Sequence, residues 1–241
     1  MPDEGKISIG IVGWVPIGHP TFNNGKGTSN TSGETSLLDF QGKDKLAPGV
    51  TVSLPGGGHN AILVSYFETT SSGNFTAAND LNLWSTGFSG GDYIATNYKL
   101  KDVKFSYDFV SWPFPVGGRR FRFKTLWQVQ YVNIKSTFNA PLSTTDTSVA
   151  TGSKNIILPT LGVGITEYFS RNVRLDVNAS GFGIPHHAVL ADVEAAPAVR
   201  VGRLELRGGV KLFYFKTSPN ADFYMSGRLL GAFAGVRFYL N

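Results

Sequence analysis

The chain of 241 residues contains no cysteine, and only 16% of its residues are charged, against the roughly 25% typical of soluble domains. Without cysteine it can form no disulfide scaffold, thiolate metal site or cysteine nucleophile. The longest apolar run, 229–236, is far shorter than the roughly 18 residues that a membrane-spanning helix needs. The sequence therefore excludes disulfide-rich folds and helical membrane proteins.

The N-terminal residues 1–6 are polar and lack the apolar segment of a signal peptide. We therefore expect either a protein that is not exported or one whose signal peptide has been removed. The remaining composition is informative: 29 glycines and 12 prolines argue against a coiled coil, and 41% hydrophobic residues argue against disorder. The net charge is +5, a mild excess whose placement matters more than its size.

The main pattern in the sequence has a period of two, which is typical of β-strands. In residues 121–131, Phe121, Phe123 and Trp127 occupy one phase, whereas Arg122 and Lys124 occupy the other. The same alternation of apolar and charged residues recurs in 102–109, 173–180, 189–201 and 204–214. The pattern predicts strands with one apolar and one polar face.

Turn signals divide these segments, and short connections alternate with mostly longer, polar ones. The predicted strands lie near 6–14, 46–54, 60–69, 93–110, 119–137, 155–168, 172–181, 188–201, 203–215 and 222–240. Ten strands is the prediction, with eight or twelve as alternatives, because the second, third and sixth alternate less cleanly. We expect a single domain over 1–241, with long external loops near 15–45, 70–92 and 139–154.

Three features favour a membrane barrel over a soluble sandwich. The alternation of long loops and short turns is typical of outer-membrane barrels. Aromatic residues collect near strand ends, which suggests two interfacial girdles. The group near the short turns is Phe109, Trp112, Phe114, Phe121, Phe123, Tyr168, Phe169, Phe238 and Tyr239, and the group near the long loops is Tyr66, Phe67, Tyr98, Tyr131, Phe138, Phe213, Tyr214, Phe215, Phe223 and Tyr224. The third feature is the last strand, which ends with Gly235, Phe238 and Leu240 at a characteristic spacing.

That ending resembles the C-terminal assembly signal of the small bacterial outer-membrane β-barrel proteins, although Asn241 follows where such chains often end on an aromatic residue. The resemblance implies an all-β fold, a closed antiparallel up-and-down transmembrane β-barrel in the bacterial outer membrane. It also implies three partners: the lipid bilayer, lipopolysaccharide and the barrel-assembly machinery. A monomer is expected because a closed barrel has no free edge. Residues 119–131 resemble strands of uncharacterised members, which carry no known activity over.

In such a barrel the polar phase faces the lumen. The lumen charges are then Asp102, Lys104, Asp108, Arg120, Arg122, Lys124, Arg174, Asp176, Asp192, Glu194, Arg200, Glu205, Arg207 and Lys211. A barrel of about eight strands is filled by its side chains, so ten strands favour a static network of ion pairs. The alternative is a narrow, porin-like pore that prefers anions, because Arg119, Arg120, Arg122 and Lys124 form a local excess of positive charge.

Catalysis, cofactors and nucleic-acid binding have little support. The pair His186–His187 lies in a short loop, with Asp192 five residues beyond, but no second acidic pair accompanies it. No spacing predicts a metal site, and no cofactor is expected. The basic residues and the aromatic residues of 121–131 lie on opposite faces, so nucleic acid is not an expected partner.

We therefore predict a non-enzymatic outer-membrane barrel with a charged, largely side-chain-filled lumen and a structural, adhesive or limited small-solute transport role. The first alternative is a soluble β-barrel or sandwich that binds an apolar ligand, with the apolar phase turned inward. The second is an outer-membrane hydrolase that acts at the barrel rim, with His186 or His187 as the base.

Overall fold

A computed structural model of the chain describes residues 6–18, 20–24, 37–39, 45–112, 121–141, 149–218 and 223–240. No helix within these ranges is long and apolar enough to cross a membrane. Ten long strands form the body: β1 (Ser8–Ile17), β4 (Ala47–Pro55), β5 (Ala61–Thr76), β8 (Tyr93–Trp112), β9 (Phe121–Asn139), β10 (Val149–Tyr168), β11 (Val173–Ile184), β12 (Ala188–Val201), β13 (Leu204–Lys216) and β14 (Phe223–Tyr239). Four short strands lie between them: β2 (Thr21–Asn24), β3 (Leu37–Asp39), β6 (Leu81–Leu83) and β7 (Thr86–Phe88).

The ten long strands close into a barrel. Each pairs antiparallel with its neighbour in chain order, and β1 also pairs with β14. This closing pair runs from Ser8 opposite Tyr239 to Ile17 opposite Leu230. The predicted fold, a closed antiparallel barrel of ten strands, is therefore confirmed.

The strands differ from the prediction at the ends near the long connections. β5 continues to Thr76, and β10 begins at Val149, inside the segment predicted as the loop 139–154. Inside the first predicted loop, β2 extends the pairing of β14 past the end of β1, and β3 folds back on β2. Inside the second, β6 and β7 form a separate two-stranded hairpin. Consequently the wall of the barrel is longer than its alternating segments alone indicated.

Alternation assigns the two faces of each barrel strand. On β9, Trp127 is 58% exposed and Val129 is also exposed, whereas Arg122, Leu126 and Gln128 are buried inside. The outer face carries an apolar belt, here defined by exposed residues of nearly every strand: Ile9, Ile11, Val50, Ile62, Phe105, Trp127, Val129, Ile157, Leu161, Val193, Val199, Leu206, Val210 and Leu230. The apolar phase thus points outward, which contradicts the soluble alternative with an inward apolar phase.

On one side the wall extends past the apolar belt. Beyond Tyr66, Tyr131 and Ile157, the outward positions of four adjacent strands are polar. They are Glu68, Thr70, Ser72 and Asn74 on β5, Asn97, Lys99 and Lys101 on β8, Asn133, Lys135 and Thr137 on β9, and Thr151, Ser153 and Asn155 on β10. We call this surface the polar wall. Its composition suits water rather than lipid.

Candidate functional site: the two halves of the lumen

The inward-facing side chains divide the lumen into two halves. The charged half extends from the short connections up to Asp102, Gln130, Asp192 and Lys211. The apolar half lies beyond this level, toward the long connections. Strands such as β8, β9, β12 and β13 line both halves, because their inward residues change from charged or polar to apolar partway along the strand.

Asp192 on β12 is the centre of one charged cluster. Its Oδ2 accepts hydrogen bonds from Lys104 Nζ at 2.7 Å and from Lys211 Nζ at 2.9 Å. Lys211 lies on the adjacent strand β13, but Lys104 lies on β8, four strands away around the barrel. The ion pair of Asp192 with Lys104 therefore crosses the lumen.

Glu205 is the centre of a second cluster near the short connections. The side chain is almost fully buried. It pairs with Arg174 Nη2 at 2.9 Å and Arg237 Nη1 at 3.7 Å, and it accepts a hydrogen bond from Tyr239 Oη at 2.8 Å. Arg174 Nε also donates to Asp176 Oδ2 at 2.9 Å. A buried carboxylate with this many donors is satisfied in place, as burial of a charge requires.

Four more predicted lumen residues form two pairs. Lys124 Nζ lies 3.1 Å from Asp108 Oδ2, which joins β9 to β8. Arg207 on β13 pairs with Glu194 on β12. Both pairs connect neighbouring strands, in contrast to the pair that crosses the lumen at Asp192.

The remaining predicted lumen residues have other partners. Asp102 accepts a hydrogen bond from Gln130 Nε2 at 2.7 Å. The guanidinium of Arg122 lies over the ring of Tyr168, and the guanidinium of Arg200 lies 3.9 Å from the ring centroid of Tyr239. Arg120 lies outside the described residues.

Sequence reasoning missed several polar residues of the charged half. Arg237 shares the inward phase of β14, but it lies within the C-terminal motif, which hid its role in the lumen. Gln128 Nε2 donates to Ser106 Oγ at 3.2 Å, and its Oε1 accepts from Thr160 Oγ1 at 3.1 Å. The period of two could have identified Gln128 and Gln130, since both occupy the same phase as Arg122 and Lys124.

The apolar half is filled by aromatic and aliphatic side chains. The rings of Phe67 on β5 and Phe213 on β13 are 5.4 Å apart although four strand steps separate them, so this contact also crosses the lumen. Trp14 lies 5.3 Å from Phe67, edge to face. The same buried cluster includes Ile94, Tyr98, Leu100, Val132, Ile134, Phe138, Ile156, Leu158, Leu190, Phe215, Met225, Leu229 and Phe233.

This filling corrects part of the expected aromatic girdle. Phe67, Tyr98, Phe138, Phe213 and Phe215, which the sequence suggested as interfacial residues, are buried inside the barrel. All five occupy the inward phase of their strands, whereas Tyr214, between Phe213 and Phe215, points outward. Tyr66, Tyr131 and Tyr214 keep the outward positions that a girdle needs.

A cavity of about 220 Å³ lies in the charged half, roofed by Trp14, Phe67 and Phe233 of the apolar half. Four buried polar atoms of its lining have no hydrogen-bond partner among the described residues. They are the donors Trp14 Nε1 and Arg207 Nε and the acceptors Asn178 Oδ1 and Asp192 Oδ1. Unpaired donors and acceptors around such a space suit ordered water or a small polar solute.

The histidine pair is separate from these clusters. His186 and His187 are exposed in the tight turn between β11 and β12, where the carbonyl of His186 accepts a hydrogen bond from Ser218 Oγ. Asp192 faces the lumen and is bound by two lysines, as described above. Within the described part of the chain, His, Asp and Glu side chains form no cluster of three that could hold a metal ion.

The three residues of the predicted assembly signal lie at the end of the closing strand pair. Gly235 faces inward, and a Cβ there would lie 2.6 Å from the carbonyl oxygen of Ile11, so β1 can approach β14 closely. Phe238 is exposed on the outer face. The backbone N–H of Leu240 donates to the carbonyl of Ile7 at 2.9 Å.

No protein-family model matches the chain, and no curated protein sequence matches it. Solved structures similar to it include the outer membrane protease OmpT from Escherichia coli, with 9% sequence identity and a TM-score of 0.62, covering 100% of this chain and 98% of that chain. Another is the translocator domain of the autotransporter NalP from Neisseria meningitidis, with 12% identity, a TM-score of 0.47, and coverage of 97% and 88%. A third is the attachment invasion locus protein Ail of Yersinia pestis, with 14% identity, a TM-score of 0.38, and coverage of 98% and 99%.

At 9% identity the likeness to OmpT concerns the fold. The fold agrees with the closed ten-stranded sheet and with the apolar belt on its outer face, which requires a lipid environment. These observations confirm the predicted fold: the chain is a closed ten-stranded antiparallel β-barrel of the kind found in bacterial outer-membrane proteins.

Proposed function

We propose that the protein is a closed, non-conducting barrel that displays its long connections in a structural or adhesive role. The observation that carries this proposal is the pair of contacts that cross the lumen, Phe67 with Phe213 in the apolar half and Lys104 with Asp192 in the charged half. Side chains that meet across the lumen leave no straight passage between them. A barrel that is filled in this way serves as a rigid scaffold.

The polar wall supports the display role. It carries the ends of β5, β8, β9 and β10 beyond the level of the apolar belt, so these strand ends stand away from the lipid surface. Its outward residues are rich in serine, threonine and asparagine, which can form hydrogen bonds with water or with a partner. Loops on a rigid scaffold are the common location of recognition surfaces.

Recording in planar bilayers tests the closed state. Inserted wild-type protein should show no steady conductance. The variant Phe213→Ala/Phe215→Ala/Asp192→Ala should conduct, because it removes two rings from the apolar half and one partner of the pair that crosses the charged half, whereas Tyr214→Ala, which removes the outward ring between Phe213 and Phe215, should not. Steady conductance of the wild type would overturn the proposal.

Limited passage of small solutes is the second candidate, and the cavity in the charged half favours it. Its lining carries Lys104, Lys124, Arg174, Arg207, Lys211 and Arg237 beside four carboxylates. Rare, brief openings of the wild type that prefer anions would support this candidate. Their absence in protein that is demonstrably inserted would leave the scaffold role.

We further propose that the protein is not an enzyme. The hydrolase alternative needs His186 or His187 to act with a carboxylate, but the nearby Asp192 is engaged by Lys104 and Lys211. A general base usually needs such an orienting partner. In a screen with a mixed peptide library, wild type and the His186→Ala/His187→Ala variant should give equal background hydrolysis.

The remaining partners follow from the outer surface. We propose that Gly235, Phe238 and Leu240 are read by the barrel-assembly machinery, and that the protein is a monomer because its sheet closes on itself. We propose that lipopolysaccharide binds three lysines at the base of the polar wall, Lys99, Lys101 and Lys135. Lys99 and Lys135 are directly opposite each other in the ladder, where like charges are unfavourable without a bridging anion.

The lysine group lies just beyond Tyr66 and Tyr131, at the level expected for lipid headgroups. Glu68 lies 2.5 Å from Lys99 Nζ and 4.0 Å from Lys101 Nζ, so one carboxylate serves two lysines. The triple variant Lys99→Gln/Lys101→Gln/Lys135→Gln should retain several-fold less added lipopolysaccharide during purification. The matched control Lys6→Gln/Arg171→Gln/Arg203→Gln removes three positive charges at the opposite end of the barrel, and equal retention by both variants would refute the site.

A further inference from the structure

Residues 78–91 form a compact projection, here called the lid, which contains the β6–β7 hairpin. Hydrogen bonds close its base: Gly91 N donates to the carbonyl of Ala77 at 2.7 Å, and Ala77 N donates to the carbonyl of Asp92 at 2.9 Å. Leu83 and Phe88 are buried in the same cluster as the apolar half of the lumen. The lid therefore packs onto the lumen from the side of the long connections.

Trp84, at the tip of the lid, packs against the inner wall. We call its binding site, formed by Ser136, Gly152, Lys154 and Phe223, the seat. Trp84 Nε1 donates a hydrogen bond to Ser136 Oγ at 2.8 Å. The ring lies 5.4 Å from the ring of Phe223, and Lys154 Nζ lies 5.5 Å from its centroid. The seat thus offers an acceptor, an aromatic neighbour and a cation to one indole.

Gly152 makes room for the indole. It lies directly opposite Ser136 in the ladder between β9 and β10. A Cβ at this position would lie 2.2 Å from Cδ2 of Trp84. The sequence has the one residue that allows a flat ring to lie against the backbone here.

The turn at the tip of the lid is unfavourable by itself. Trp84 and Ser85 are its two central residues, and both have positive φ, 51° and 65°. Two-residue hairpin turns of this kind normally carry asparagine, aspartate or glycine, because other side chains are strained there. The contacts of the indole in its seat, rather than the turn, therefore hold the tip in place.

We propose that Trp84 is an internal ligand, and that its seat binds an external aromatic molecule with an N–H or O–H donor when the lid lifts. Such a molecule can make the same hydrogen bond to Ser136 and the same contact with Gly152. Lifting the lid releases the strain of the turn, which lowers the cost of exchanging one ring for the other. The lid is thereby a closure that a ligand opens.

The test uses indole as the probe and a single thiol as the reporter, since the chain has no other cysteine. Leu83, which belongs to the lid, is fully buried where the lid packs onto the lumen, so the thiol of Leu83→Cys should react slowly with a membrane-impermeant maleimide in liposomes. Indole should accelerate labelling about tenfold, saturating on the order of millimolar, because the tethered Trp84 competes at a similar effective concentration. Cyclohexanol, which is not aromatic, should have no effect.

The variant Gly152→Ala in the same background is the decisive control. Its added methyl group blocks the seat, so labelling should be fast without indole and should no longer respond to it. Ser136→Ala is the milder second variant, and it should weaken the acceleration of labelling by indole. The barrel should stay folded, which the mobility of the unheated protein on a denaturing gel would show. If indole does not change labelling of Leu83→Cys, or accelerates it equally with Gly152→Ala, the proposal is wrong.

Discussion

The two halves of the lumen face the same problem, filling a cylinder, and solve it in different ways. The apolar half is held by ring contacts such as Phe67 with Phe213, which are broad and tolerate small shifts. The charged half is held by pairs such as Glu205 with Arg174, which require a particular partner at a particular distance. The packing of the apolar half depends on side-chain volume, whereas that of the charged half depends on complementary charges.

The difference extends to what each half excludes. In the apolar half, away from its boundary at Trp14, Thr96 Oγ1 is the one buried side-chain polar atom without a hydrogen-bond partner among the described residues, and the lid adds Leu83 and Phe88 to this half. The charged half retains a cavity with unpaired donors and acceptors, including Trp14 Nε1 at the boundary. The contrast is between a half that side chains fill and a half that keeps a polar space large enough for water.

The strongest way to break this contrast is to remove a charged partner. Glu205→Ala leaves Arg174 and Arg237 buried without their shared carboxylate, so it should cost about 3–5 kcal/mol of unfolding free energy. Urea unfolding in liposomes measures this. Glu167→Ala, which removes an exposed carboxylate near the same end of the barrel, should change stability by less than about 0.5 kcal/mol. Similar losses for both variants would deny Glu205 its role.

The next test compares the inside of the wall with its outside. Arg122 is accommodated on the inner face of β9, but Trp127→Arg places the same charge in the apolar belt and should cost about 2–4 kcal/mol. Trp127→Phe, measured by the same unfolding in liposomes, should stay near wild type. A neutral Trp127→Arg would reverse the assignment of the two faces.

The smallest expected effect concerns the boundary between the halves. Gln130→Leu removes the hydrogen bond to Asp102 and should cost about 1–3 kcal/mol, because the buried carboxylate loses a donor. Adding Asp102→Leu should recover most of this loss, since an apolar pair replaces a polar one at the edge of the apolar half. A double-mutant cycle measures the coupling between Gln130 and Asp102. Additive losses would show that an apolar pair is not tolerated at the boundary between the two halves.

The strands were predictable because alternation and turn signals agree along most of the chain. The prediction of 188–201 matches β12, and 121–131 has the phase that the structure shows. The positions of Phe213 and Phe215 were not predictable in the same way, because Tyr214 between them is also aromatic and the local pattern assigns no face. Alternation predicts which residues of a strand share a face. It does not predict which side chains they contact across the lumen.

Contacts across the lumen depend on how far the strands are staggered when the sheet closes. Lys104 and Asp192 are far apart in sequence and on strands that do not touch, so no local pattern pairs them. The lid was hidden for a different reason. Two-residue turns usually carry asparagine, aspartate or glycine, but Trp84 and Ser85 occupy this one. The contacts of Trp84 at Gly152 compensate for the unfavourable backbone of the turn, so the usual sequence signal is missing.

The polar wall has a consequence for how the molecule is approached. From Tyr131 to Asn139 the wall rises by about 25 Å of strand, whereas from Gly181 to Ile184 it rises by about 10 Å before the turn at His186. The rim of the barrel is therefore uneven, like a cup cut at a slant. A molecule that moves along the membrane surface therefore meets a shorter barrel wall at β11–β12 than at β8–β10. The lumen end of the barrel is easier to approach from the β11–β12 side.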